Sequence, residues 1–177
     1  MMNRIAVIYQ SNYGATRQYA EWIAAELDAD LFERKMVTKA LLKTYAMIIY
    51  GGGLYASGII GSELVANNPC NHLIVFTVGL ADPTQTDYTQ IMHRAFRTEA
   101  RQPQQVFHFR GAIDYAKLGV VHRNLMRLLK TVIASKNQTE LTPENQAFLA
   151  TYGRQVDFKD RATIQPLVAY VRELGMA

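Results

Sequence analysis

The sequence has little of what builds metal and thiol sites. One cysteine, Cys70, occurs in 177 residues, which excludes an internal disulfide and every paired-cysteine metal or redox motif. The four histidines, His72, His93, His108 and His122, are dispersed and show no HExxH spacing, so a structural zinc site is not expected. No GxxxxGK segment is present, which argues against a P-loop nucleotide site. No Cys–His pair or Ser–His–Asp order stands out, and no nucleophilic mechanism is expected. No apolar run reaches the roughly 18 residues that a membrane span needs. The opening Met1-Met2-Asn3-Arg4 leads only into the short apolar stretch Ile5–Tyr9, too short for the core of a secretory leader. The expected location is the cytoplasm.

Charge is also sparse, at 19% of residues against 49% hydrophobic. A chain this apolar forms a sizeable core rather than staying disordered, and its length suits one domain, 1–177, with a basic helical and loop extension at about 112–145. Acidic residues are the scarcer sign: 19 Lys and Arg against 15 Asp and Glu leave a net charge of +4. The excess is uneven. Residues 1–99 carry 8 basic and 9 acidic side chains, whereas residues 100–177 carry 11 and 6. Between 101 and 136 the basic residues are Arg101, Arg110, Lys117, Arg123, Arg127, Lys130 and Lys136, with Asp114 the sole acid. Such a segment suits a membrane, an acidic partner, a carboxylated substrate or nucleic acid, and equally a solvated face without a ligand. Only Phe107, Phe109 and Tyr115 are aromatic nearby, and without a recognisable binding signature no nucleic acid is expected.

The apolar pattern alternates between strand and helix. Ile5–Tyr9 reads as a buried parallel strand, and Tyr19, Ala20, Ile23, Ala24 and Leu27 then fall at helical spacing. Asp30–Glu33 reads as a weak second strand, followed by a short helix at Lys39–Lys43. Met47–Tyr50 is a third strand, ended by Gly51-Gly52-Gly53, with a helix expected over Ile59–Ala66. Leu73–Val78 is a fourth strand, Thr86–Arg97 a helix, and Val106–Phe109 a fifth strand. Gly119–Ile133 is a helix with Val121, Leu125, Leu128, Leu129 and Val132 as an apolar stripe expected to pack on the sheet. Ser135–Glu144 reads as a loop. A last helix would bury Leu167, Val168, Val171 and Leu174. Five strands alternating with helices predict a doubly wound α/β sheet.

Ligands of such a sheet bind beyond the carboxyl ends of its strands. The first loop there is Ser11-Asn12-Tyr13-Gly14-Ala15-Thr16. Ser11 and Thr16 supply hydroxyls, Gly14 permits a tight turn, and the following helix presents free N–H groups. Together they can cradle a phosphate without lysine or arginine. The rival explanation is an ordinary turn with Thr16 as an N-cap. Gly51-x-Gly53-x-x-Ala56 formally matches a dinucleotide fingerprint, but it follows the third strand, and the next strand ends without an acid to hold a ribose.

The segment Tyr9–Thr16, the glycine-rich loop after Ile49-Tyr50 and the strand ending Phe76-Thr77-Val78-Gly79 together resemble the flavodoxin-like family, over essentially the whole chain. The later segment Phe109–Tyr115, with the basic helix after it, is most similar to flavodoxin-domain proteins resembling menaquinone-dependent protoporphyrinogen oxidase. The resemblance implies a flavodoxin-like three-layer sandwich with a five-stranded parallel sheet of order 2-1-3-4-5. It implies FMN, with Ser11, Asn12, Tyr13, Gly14, Ala15 and Thr16 at the phosphate. Gly52, Gly53, Leu54, Tyr55 and Ala56 would flank one side of the ring, and Gly79, Leu80, Asp82 and Tyr88 the other. Tyr55 would stack on the ring. Two departures stand out: Tyr13 replaces the usual hydroxyl residue, and the chain is basic where electron-carrier flavodoxins are acidic.

The expectation is an FMN-binding oxidoreductase or electron-transfer protein. It would oxidise a porphyrinogen-like or other organic donor with a quinone or redox-protein acceptor. A plain flavodoxin-type carrier and a flavodoxin-like binding module without tight FMN are the alternatives. Peripheral membrane contact would run through Arg123, Arg127 and Lys130.

Overall fold

The computed structural model describes residues 4–55 and 58–175. Five strands build the main sheet: β1 (Ile5–Gln10), β2 (Asp30–Glu33), β3 (Met47–Tyr55), β5 (Leu73–Gly79) and β6 (Gln105–Arg110). Their order is β2-β1-β3-β5-β6, parallel throughout. Counting the main strands alone, this is the expected 2-1-3-4-5. The register places Val7 beside Ile49, Ile49 beside Ile74, and Phe76 beside Phe107.

The central strands are apolar along most of their length because both faces are covered. On one face, α1 (Ala15–Leu27) and α7 (Gln165–Glu173) pack Tyr19, Ile23, Leu167, Val168 and Val171 against Val7, Ile49, Ile74 and Phe76. On the other lie α2 (Lys39–Leu42), α3 (Glu63–Ala66) and α4 (Thr89–Ala95), with Leu42, Val65 and Phe96 against Ile8, Ile48, Tyr50 and Val75. Each fully buried side chain of this kind contributes about 1.5–3 kcal/mol, and the alternation along each strand feeds both layers. The result is a three-layer α/β sandwich.

The glycines of β3 correct the sequence reading. They do not end the strand at Tyr50; β3 runs through them to Tyr55, where Leu54 pairs antiparallel with Ile59 of the short β4 (Gly58–Ile59). A Cβ on Gly51 would penetrate the Phe76 ring, and one on Gly52 would come within 2.6 Å of Ile59 Cγ2. These glycines permit close approach to neighbouring side chains rather than a chain reversal. The expected helix at 59–66 shrinks to α3, because Ile59 is spent on β4 and Gly61 turns with φ 72°. The helix expected over 86–97 is confined to α4, behind a turn in which the Asp82 carboxylate accepts from Thr84 N. At the C-terminus Ile164, not Leu174, joins the buried face; Leu174 lies beyond α7 and is exposed.

Between β6 and α7 the chain makes β7 (Ala112–Asp114), α5 (Val120–Ala134), α6 (Pro143–Thr151) and β8 (Gln155–Asp157), with β7 and β8 paired antiparallel. These elements enclose a third apolar cluster of Ile113, Tyr115, Leu118, Met126, Ile133 and Phe148. Tyr13, Tyr55 and Leu80 reach into it from the loops of the main sheet. The expected loop at 135–144 ends where Thr142 caps α6 and Pro143 opens it, a common helix start. The stripe expected to pack inward is also corrected. Met126 and Ile133 are buried and Leu129 is partly so, whereas Val121, Leu125, Leu128 and Val132 face outward. The helix carries two apolar faces, and the cluster beneath it takes only the narrower one.

Candidate functional site

The carboxyl ends of β1, β3, β5 and β6 open together on one side of the sheet, and the segment 112–157 roofs them. A cavity of about 480 Å³ lies between, within the size range of small-molecule sites. Its floor includes Ser11, Asn12, Tyr13, Ala15 and Thr16 after β1, and Gly53, Leu54 and Tyr55 at the end of β3. Gly79 and Leu80 follow β5. Its roof is apolar: Ile113, Met126, Leu129, Ile133 and Phe148. Arg94, Lys136 and Glu140 add charge to the wall.

The first loop is built by its own bonds. Gly14 adopts a left-handed conformation, φ 89°, which glycine alone takes without strain. Its N–H donates to Ser11 Oγ at 3.0 Å. Gly14 is the N-cap of α1 and has no side-chain cap, so free N–H groups of the first turn remain. That turn holds no acidic residue, which leaves the positive end of the helix dipole uncompensated. Arg17 is turned away into an exposed pair with Glu21. Thr16 is a buried polar residue of the cavity wall. The arrangement suits an anion held by backbone and hydroxyl donors.

Tyr13 bends over this loop to the third cluster and meets the His122 ring edge-on, centroids 5.9 Å apart. Burial, and then the neighbouring Tyr55, push its phenol above the ordinary range. Tyr55 also packs on the third cluster and faces the cavity.

The loop after β5 is held from two sides. Arg110 donates from Nε and Nη2 to the Leu80 carbonyl at 3.2 and 3.0 Å, with its guanidinium 3.7 Å over the Phe158 ring. From the roof, the Glu144 carboxylate accepts from Leu80 N at 2.8 Å and Ala81 N at 3.0 Å. A Cβ on Gly79 would come within 2.8 Å of the same carboxylate and 3.0 Å of Leu54 Cδ1, so any larger residue there would push the carboxylate aside.

The expected site residues fall into three groups. Ser11, Asn12, Tyr13, Ala15, Thr16, Gly53, Leu54, Tyr55, Gly79 and Leu80 line the one cavity. Gly14 turns the first loop and Gly52 lies within β3 against Ile59, and neither lines the cavity. Asp82 and Tyr88 stand apart from the lining. The Asp82 carboxylate binds Thr84, which holds it below the usual range. The Tyr88 ring is buried and stacks on His108, 3.5 Å between centroids. Ala56 lies outside the described residues. Sequence reasoning missed Glu144, Phe148, Arg94 and the Arg110 anchor. Thr142-Pro143-Glu144 carried a helix-start signal for the first two; nothing local marks the others. Cys70 does not line the cavity, and burial pushes its thiol up to about 11. Among the described residues no group of three His, Cys, Asp or Glu side chains can hold a metal.

A family model described as a flavodoxin domain matches residues 6–142. The chain belongs to the flavodoxin domain family. None of the curated proteins compared matches it. Solved structures similar to this flavodoxin-domain protein include a flavodoxin from the domain Archaea, 17% identical, covering 60% of this chain and 83% of the other with a TM-score of 0.40. A Lactobacillus acidophilus flavoprotein in complex with FMN is 12% identical, covering 60% and 93%, with a TM-score of 0.44. Oxidised flavodoxin 1 from Bacillus cereus is 13% identical, covering 60% and 83%, with a TM-score of 0.45.

Proposed function

We propose that the cavity binds FMN and that the protein acts as a flavodoxin-type electron-transfer protein. The observation that carries this reading is the convergence of the uncapped α1 turn, the Tyr55 ring and the loop after β5 on one cavity. In this reading the Ser11–Thr16 loop holds the phosphate, Tyr55 lies against the ring system, and backbone around Gly53 and Gly79 meets the ring edge. When bound, FMN supplies the electron-transfer chemistry, and the chain supplies position, field and exclusion of water. The donor set fits the phosphate end. At the loop after β5, two amides are already taken by Glu144.

A second reading is favoured by the roof. An apolar ceiling suits a bulky organic donor, porphyrinogen-like, with a quinone or a redox protein as acceptor; Arg94 and Lys136 in the wall could meet its carboxylates, beside the acids Asp87, Glu140 and Glu144. The protein would then turn over with donor and quinone alone, whereas a carrier would need a reductase. Membrane contact through Arg123, Arg127 and Lys130 belongs to this second reading. No helix among the described residues is long and apolar enough to cross a membrane.

The test is the visible spectrum of freshly purified protein, followed by FMN titration of the apo form. Flavin absorbance with tight one-to-one binding is expected. No binding at high micromolar FMN, by wild type or by Glu144→Ala, overturns the redox reading and leaves a flavodoxin fold used as a binding module.

A further inference from the structure

We propose that Glu144 is an internal latch on the cofactor cavity: its carboxylate holds the loop after β5 closed and competes with the flavin for the same two backbone donors. The proposal rests on the FMN reading above and concerns the regulation of that site.

The geometry is specific. Leu80 N–H and Ala81 N–H are consecutive and both donate to one carboxylate, at 2.8 and 3.0 Å. Each amide has a single hydrogen, so neither can fully serve a second acceptor at the same time. The carboxylate also lies directly over Gly79, where the absent Cβ leaves room beside the strand end. Hydrogen bonds to a charged acceptor are roughly twice as strong as neutral ones. A neutral ring carbonyl offered to these amides therefore meets a stronger incumbent.

Glu144 is not part of the flavodoxin sheet. It stands in the first turn of α6, inside the roof that rests on Phe148 and Ile113. The Leu80 side chain packs into the same cluster, so the loop is tied to the roof by apolar contact and by charge together. Releasing the carboxylate frees the two amides and loosens one tie between roof and floor. The latched population is not competent to use these donors, and apparent affinity falls in proportion to the competent fraction.

The experiment is fluorescence titration of FMN into apo wild type, Glu144→Ala and Glu144→Gln, with amide hydrogen exchange of Leu80 and Ala81 in the apo proteins. The latch predicts that Glu144→Ala binds FMN at least tenfold more tightly than wild type, with Glu144→Gln between them because its amide oxygen is a neutral acceptor. It also predicts faster exchange of the two amides in apo Glu144→Ala. Binding by Glu144→Ala with none by wild type supports the latch as well. Equal or weaker FMN binding by a folded Glu144→Ala, with wild type binding, overturns the latch and leaves the FMN reading standing. Equal or weaker binding by Glu144→Gln decides the same way if the alanine variant does not fold. No binding by any of the three proteins overturns both.

Discussion

His108 shows how a single side chain sets a pH dependence away from the cavity floor. It sits on β6, with Nδ1 2.6 Å from Thr77 Oγ1 on the neighbouring strand and its ring flat on Tyr88. Burial denies its charged form water and lowers its pKa from 6.5 to about 4. Between those values the unfolded chain binds a proton that the folded chain refuses. The stability tied to His108 is therefore complete above about pH 6.5. It falls as the pH drops through the window and stops falling below about pH 4. Thermal melts of wild type and His108→Gln from pH 7 to 4 check this, with the pH range chosen to bracket the shift. The wild-type curve is expected to fall more steeply than that of the variant, by up to one proton's worth of slope. Parallel curves would remove His108 as the cause. Tyr88 is the residue-level lesson beside it. It stands in the loop where an aromatic was expected to meet a ring, and it meets His108 instead.

At the scale of elements, much of the fold was legible, α5 included, and the rest of the roof was not. The sheet strands were readable because each is a short apolar run closed by a turn, and burial on both faces forces that pattern. The β1 loop was readable because its chemistry is contiguous: Ser11, Gly14 and Thr16 lie within one turn. The rest of the roof was hidden for two reasons. Its strands β7 and β8 have three residues each and lie some 40 positions apart (a separation for which local patterning carries no signal). Its two helices bury a cluster that exists only once they meet. Glu144 belongs to that hidden part, since its partners Leu80 and Ala81 are 64 and 63 residues away. The element that carries it has a simple weak point. Thr142 Oγ1 accepts from Asn145 N at 3.2 Å and caps α6. Losing such a cap costs about 1 kcal/mol, and for a chain of this size that lowers Tm by roughly 2–4 °C. Circular dichroism melts of Thr142→Ala are expected to show this fall, and an unchanged Tm would mean that Pro143 and packing of Phe148 suffice to start the helix.

At the scale of the whole molecule, α5 decides what kind of surface the roof presents. Its outward apolar side chains Val121, Leu125, Leu128 and Val132 are exposed between 42% and 78%. At about 100° per residue they centre roughly 160° around the helix from Arg123, Arg127 and Lys130. An interfacial helix carries Lys and Arg on its polar face and apolar side chains on the other, and α5 has that division. Two of the three basic residues are engaged within the chain: Arg123 donates to the Leu118 carbonyl at 3.1 Å, and the Lys130 ammonium lies 4.5 Å over the Tyr152 ring. Contact through the three basic residues alone is electrostatic and leaves the apolar face, on the opposite side, out of the bilayer. Sedimentation with vesicles containing anionic lipid separates the cases. Binding through charge alone is lost at high salt, where screening removes it, and is unaffected by Leu125→Ser with Leu128→Ser. Binding that survives salt and disappears with the two serines would mean that the apolar face, already turned outward, inserts.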